Sequence, residues 1–251
     1  MKNGMITGAS DGIGLEAAKL LAASGITLTL VARNKEKLEK VISNLPGQRH
    51  TYLVADLTRV EDTGSIADHL AKNHYDFLIN NAGVGIYGKF DEISLDSQLE
   101  MMQLNMNAVV VLAHAYLTHA QRGDALVNTA LVLAISSMPG AAVYASTKAF
   151  MLILSESLWH EFKKQGVYVL GFCPGVTSSK FHVASGGSNE MFPAAMTQTP
   201  QQTASEMVRA LMNRSQPRFV SGAINRMTVF TQRLLSRKAA VNMMGMFSPM
   251  K

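Results

Sequence analysis

The chain carries one cysteine, one tryptophan and seven prolines in 251 residues, and no long apolar run. A lone thiol excludes an intrachain disulfide and fits a reducing cytosol. Set between Phe172 and Pro174, Cys173 reads as packed core rather than as a nucleophile. No stretch reaches the roughly 20 apolar residues that cross a bilayer. The opening residues run straight into a strand pattern, so no cleavable leader is expected and the expected location is cytoplasmic. Repeats and low-complexity linkers are missing, which leaves one domain over 1–251. His114 and His119 lack the four-residue spacing of a helical metal pair, and the other histidines are scattered, so no metal is expected. Charged residues make up only 16%, with a net charge of +5 and some basic excess late in the chain. No stacking platform or helix-turn-helix accompanies that charge, which argues against nucleic acid and for a polyphosphate or an anionic surface.

What is present is alternation. Apolar strand-like runs at 5–7, 27–32, 51–55, 77–80, 126–129, 168–173 and a weak one at 219–220 alternate with helical patterns at 12–24, 35–44, 61–73, 96–121, 144–165 and 203–213. Strands apolar on both faces and separated by helices predict an α/β fold: a parallel sheet covered on both sides.

Four local patterns carry chemistry. Thr7-Gly8-Ala9-Ser10-Asp11-Gly12-Ile13-Gly14 joins a strand to a helix. Such a turn lets backbone N–H groups and a helix N-terminus meet a pyrophosphate, although a plain tight turn reads the same way. Asn80-Asn81-Ala82-Gly83 follows a strand, at the edge where α/β sheets place ligands. Tyr144 and Lys148, four apart on one helix face, pair a phenol with an ammonium. That ammonium is expected to favour phenolate and make Tyr144 a proton donor or acceptor. Arg33 closes the second strand, and no Asp or Glu stands between Gly25 and Lys35. It reads as a donor for a phosphate or as a solvated strand-end charge.

With Asp56-Leu57, Asn105 and Pro174-Gly175, these patterns span residues 5 to about 180 and resemble the short-chain dehydrogenase/reductase family. The resemblance implies a single Rossmann-type doubly wound parallel sheet of about seven strands with helices on both faces. It also implies an oxidoreductase that interconverts a carbonyl and an alcohol on a small apolar molecule. The implied cofactor contacts are Gly8, Ser10, Gly12, Ile13, Gly14, Arg33, Asp56, Leu57, Asn81, Ala82, Gly83, Tyr144, Lys148, Pro174, Gly175 and Val176. Arg33 in place of an acidic residue points to NADP(H). Asp56 is placed beside the adenine, though as a bare residue it equally reads as a helix cap. The implied proton relay runs through Tyr144, the cofactor ribose, Lys148, a water and Asn105. Asparagine suits a helix interior poorly, so a kink is expected at Asn105, with Asn107 the nearby competitor. Pairing through the helices at 96–121 and 144–165 gives an expected homodimer or homotetramer.

One position departs from the family. The fifth strand ends Asn128-Thr129-Ala130-Leu131 where relatives read Asn-x-(Ser/Ala)-Ser. Leu131 is therefore expected to replace the serine that donates to the substrate carbonyl, lining the substrate site with Thr177. The competing alignment uses Ser136 or Ser137. Impaired turnover is the expected consequence, and a cofactor-binding sensor or scaffold with little turnover is the alternative. Residues 177–203, with Phe181, Met191 and Phe192 among small polar residues, are read as a lid that closes on an apolar substrate, a disordered surface loop being the alternative. Residues 223–251 form a basic amphipathic segment, with cleft or dimer packing, peripheral membrane contact through 223–250 and a frayed tail all open.

Overall fold

The structure is a computed structural model that describes residues 1–187, 197–232, 234–246 and 248. Its strands are β1 (Asn3–Thr7), β2 (Thr27–Ala32), β3 (Thr51–Val54), β4 (Phe77–Asn80), β5 (Ala125–Thr129), β6 (Tyr168–Cys173) and β7 (Arg218–Val220). They form one sheet in the order β3-β2-β1-β4-β5-β6-β7. Every neighbouring pair is parallel. The main helices are α1 (Gly12–Ala23), α2 (Lys35–Asn44), α3 (Val60–Lys72), α4 (Leu95–Met102), α5 (Ala108–Thr118) and α6 (Ala142–Phe162). After β6 come α7 (Lys180–Ala184), α8 (Pro200–Asn213), α9 (Ala223–Gln232) and α10 (Arg237–Gly245).

The sheet is buried on both faces, which is why its strands read as continuous apolar runs. Neighbours Met5 and Ile6 show it: Ile6 joins a layer with Leu21, Leu38 and Leu211 of α1, α2 and α8. Met5 joins the opposite layer with Ile66 and Leu112 of α3 and α5. Both side chains are fully buried, each contributing about 1.5–3 kcal/mol. The strand order reverses between β1 and β4, and in such sheets a crevice opens at the C-terminal ends of the strands there.

Several expected boundaries shift. The helix expected at 96–121 is α4, a π-helical turn Gln103–Asn107 and α5, ending at Thr118. The one expected from 144 starts at Ala142, and its last turn, Lys163–Gln165, is 3₁₀. Residues 200–203 leave the expected lid. Thr199 accepts from the Gln202 N–H (3.2 Å) and Gln202 Oε1 accepts from the Thr199 N–H (2.9 Å), a reciprocal cap with Pro200 in the first turn of α8. Among the described residues, no helix is long and apolar enough to cross a membrane.

Candidate active site

The crevice at the strand-order reversal is built by the two loops that follow β1 and β4. The Thr7 hydroxyl accepts from the N–H groups of Asn81 and Ala82, both at 3.0 Å. Asn81 Nδ2 donates back to the carbonyls of Thr7 and Gly8, both at 3.2 Å. Gly8 sits at φ +65, and a Cβ on Gly14 would collide with the Gly8 carbonyl and the Asn81 amide. Only glycine lets the loops close this tightly. Asp11 caps α1, accepting from the Gly12 N–H at 2.8 Å.

A cleft of about 540 Å³ runs from this turn to Tyr144. It is lined by Gly8, Ser10, Gly12, Ile13, Arg33, Asp56, Leu57, Asn81, Ala82, Gly83, Leu131, Tyr144, Lys148, Pro174, Gly175, Val176 and Thr177. Of the residues expected at the site, Gly14 and Asn105 lie behind its wall. Lys37 joins Arg33 at the β2 end, a second cation that the sequence reading did not single out. Arg33 lies 3.7 Å from Asp56, and Lys37 lies 3.9 Å from Asp11. These are loose, exposed pairs, worth about 0–1 kcal/mol, so both cations are available to an anion. Asp56 has two engagements: Oδ1 accepts from the Thr58 N–H (3.1 Å) and hydroxyl (2.8 Å), while Oδ2 faces Arg33.

At the other end, α6 carries Tyr144 and Lys148 into the cleft, both nearly fully buried. Lys148 Nζ donates to the Thr129 carbonyl at 2.9 Å. Burial pulls its amine down to about 8. Tyr144 departs from expectation: its phenol is pushed well above the usual value, by burial first and by neighbouring Tyr87 second. The sequence predicts an ammonium lowering it. Here the ammonium is directed at the Thr129 carbonyl, so desolvation of phenolate dominates.

Asn105 is wholly buried within the π-helical turn. Its Oδ1 accepts from the Val84 N–H (3.1 Å), and its Nδ2 donates to the Val84 carbonyl (2.8 Å) and to Thr147 Oγ1 (3.1 Å). Asn107 is exposed and bonds Gln103 at 2.7 Å. A Cβ placed on Gly83 would lie 3.1 Å from Asn105 Oδ1 and 3.2 Å from Lys148 Nζ. Gly83, Asn105 and Lys148 therefore meet at one point behind Tyr144.

Leu131 packs in an apolar cluster with Tyr144, Met101 and Met138. Its register is fixed by its neighbours, since the Ala130 N–H donates to Phe172 O at 2.7 Å and the Val132 N–H to Pro174 O at 2.9 Å. Ser136 donates instead to the Gln232 side chain, and Ser137 is exposed. Neither serine lines the cleft.

Two further groups close the cleft. Tyr87 meets the Tyr144 ring edge-on at 6.2 Å, and Phe181 lies 5.8 Å from it. Burial raises the Tyr87 phenol to about 12. Within the expected lid, Thr177 and Gln198 bridge like strands, and α7 brings Phe181 to the site. Met191 and Phe192 lie outside the described residues. Met243 and Met244 of α10 pack into the same cluster as Tyr144 and Leu131, so α10 folds back toward that end of the molecule without lining the cleft. Tyr87 belongs to no motif and was missed. Periodicity alone could have flagged Met243 and Met244.

At the opposite, N-terminal ends of β4 and β5, His74, Asp76 and Asp124 bring ligand-type atoms within 4.8 Å of one another. Local bonds account for these atoms: Asp124 accepts from His74 (2.9 Å) and the Gln121 N–H (2.7 Å), Asp76 from the Asn3 N–H (3.1 Å).

Comparison with known proteins places these features in context. The sequence model of the family described as short chain dehydrogenase matches residues 2–188. An oxidoreductase of Staphylococcus aureus (strain USA300), described as uncharacterized, is 28% identical over 233 residues, 91% of this chain and 96% of its own. Hydroxysteroid dehydrogenase-like protein 1 of Gallus gallus is 28% identical over 184 residues, which span 70% of this chain and 56% of that protein. Among solved structures, a short-chain dehydrogenase from Sphingobium yanoikuyae in complex with NADPH superposes with a TM-score of 0.82 at 27% identity, covering 93% of this chain and 94% of that one.

Proposed function

Because this chain belongs to the short-chain dehydrogenase family, an oxidoreductase family, we propose that it interconverts a carbonyl and an alcohol on an apolar small molecule with NADP(H), slowly as the sequence stands. The observation that carries this reading is the cleft itself, cationic where β2 ends and apolar around Tyr144. When bound, NADP(H) supplies or accepts the hydride.

The residues present fit that cofactor. The turn through Gly8, Ser10 and Gly12 lines the cleft at the start of α1, where a helix N-terminus favours a pyrophosphate. Arg33 and Lys37 suit a 2′-phosphate, and the NADPH complex of the Sphingobium relative supports the same choice. Tyr144 Oη, held protonated by burial, gives its proton to a developing alkoxide, or takes one from an alcohol in reverse. Lys148, with its amine near 8, is matched to passing protons at neutral pH. Phe181 and Tyr87, packed on the Tyr144 ring, limit water at that end.

Leu131 limits this chemistry. It leaves the carbonyl oxygen without the hydroxyl that relatives place there, and its branched side chain occupies the approach to Tyr144. The same residue favours a second reading, a cofactor-binding sensor or scaffold with little turnover.

Fluorescence titration with NADPH and NADH, combined with a panel of apolar ketones and alcohols, tests both. NADPH is expected to bind more tightly, and Arg33→Ala to lose roughly 10- to 100-fold of that affinity with little effect on NADH. Preference for NADH would overturn the cofactor assignment. Ordered NADPH binding with no turnover on any panel member would favour the second reading.

A further inference from the structure

We propose that the outer face of α9 and the turn after it form a docking surface for an anionic lipid bilayer. On α9 the buried residues are Asn225 and Val229, four apart on one face. Ile224, Met227 and Phe230 occupy the opposite face, and Met227 and Phe230 are 62% and 64% exposed. Leu234 in the following turn is 76% exposed. An amphipathic helix with its apolar face outward is the reverse of what a helix packed on a soluble core shows.

Charge selects the occupant. After Glu206 the chain has no Asp or Glu at all but eight Lys and Arg. The preceding part of the chain, with 18 acidic residues in the total, carries all the negative charge. Three of the late arginines are already paired with acids: Arg209 and Arg226 with Glu206, and Arg218 with Glu156. Arg237 and Lys238 stand exposed beside Leu234, and among the described residues no ion pair engages them. Apolar side chains flanked by cations, in a segment that carries no acid of its own, match a headgroup layer of negative charge. A protein partner of ordinary composition would want acids on this face as well. The docking itself does not depend on the reaction proposed above.

The test is vesicle flotation of the full chain with phosphatidylcholine vesicles, with and without about one quarter phosphatidylglycerol. Binding is expected only to the anionic vesicles, falling steeply as salt is raised. Arg237→Gln with Lys238→Gln should weaken it roughly tenfold. Met227→Ser with Phe230→Ser should weaken it at least tenfold while leaving the melting temperature unchanged, because neither side chain touches the core. Absence of binding, or equal binding to both vesicle types, overturns the proposal. So does a dimer, seen by light scattering, that the Met227→Ser, Phe230→Ser pair dissolves while vesicles bind nothing, since that outcome assigns the face to a second copy.

Discussion

Lys148 and Asn105 are the residues whose roles can be separated from packing by measurement. An ordinary lysine releases its proton at 10.5, whereas Lys148 does so near 8. Between those values the unfolded chain holds the proton more tightly than the folded one, so this residue makes stability rise with pH across that window. Cys173 beside it, raised from 9 to about 12, pulls the opposite way from about pH 9 upward, but it is common to parent and variant and cancels in their difference. In urea unfolding, the stability of the parent relative to Lys148→Met should therefore increase between about pH 7.5 and pH 10. A difference that stays flat would show that Lys148 is not held in a desolvating site. Asn105→Ala would strand both backbone groups of Val84 in a partly buried place, costing about 1–3 kcal/mol. Asn107→Ala, on the exposed side of the same turn, should stay within about 0.5 kcal/mol. Equal costs in denaturant melts would contradict the inward role of Asn105.

The central strands were the most legible elements, because they are short and buried on both faces, whereas edge strands β3 and β7 are only partly buried. The helix ends were less so. Thr199-Pro200-Gln201-Gln202 carries a capping-box spacing, yet its polar composition reads as loop, and the cap is what places residues 200–203 in α8. The π-helical turn left one trace, an asparagine in an apolar helix, and the two backbone bonds that fix it come from Val84, which no local pattern predicts. The depression expected of the Tyr144 phenol failed for a related reason. Helical spacing shows that Lys148 shares its face, but not that the ammonium bonds Thr129 or that Tyr87 and Phe181 bury the ring. On α5 and α6, Val110, Val111 and Ile153 remain exposed. We propose that these helices pair with a second copy, so Val110→Glu with Ile153→Glu should shift the mass seen by light scattering to that of a monomer. An unchanged mass would remove these faces from any interface.

We propose that, across the whole molecule, cofactor affinity and turnover depend mainly on opposite ends of the cleft. Gly8, Arg33 and Asn81, in the loops after β1, β2 and β4, line one end, while Leu131, Tyr144 and Phe181 shape the other. That division is why a change at the end of β5 can lower the rate without loosening the cofactor. Losing one preorganised donor to a developing oxyanion typically costs about 10²–10³ in rate. The most direct test is kcat/KM of Leu131→Ser relative to the parent on the best substrate of an apolar ketone panel, with NADPH affinity measured on both. The account predicts a rise of about 100-fold or more at nearly equal NADPH affinity, with Ser136→Ala and Ser137→Ala close to the parent. A parent already as fast as Leu131→Ser, and silenced by Ser136→Ala or Ser137→Ala, would contradict it.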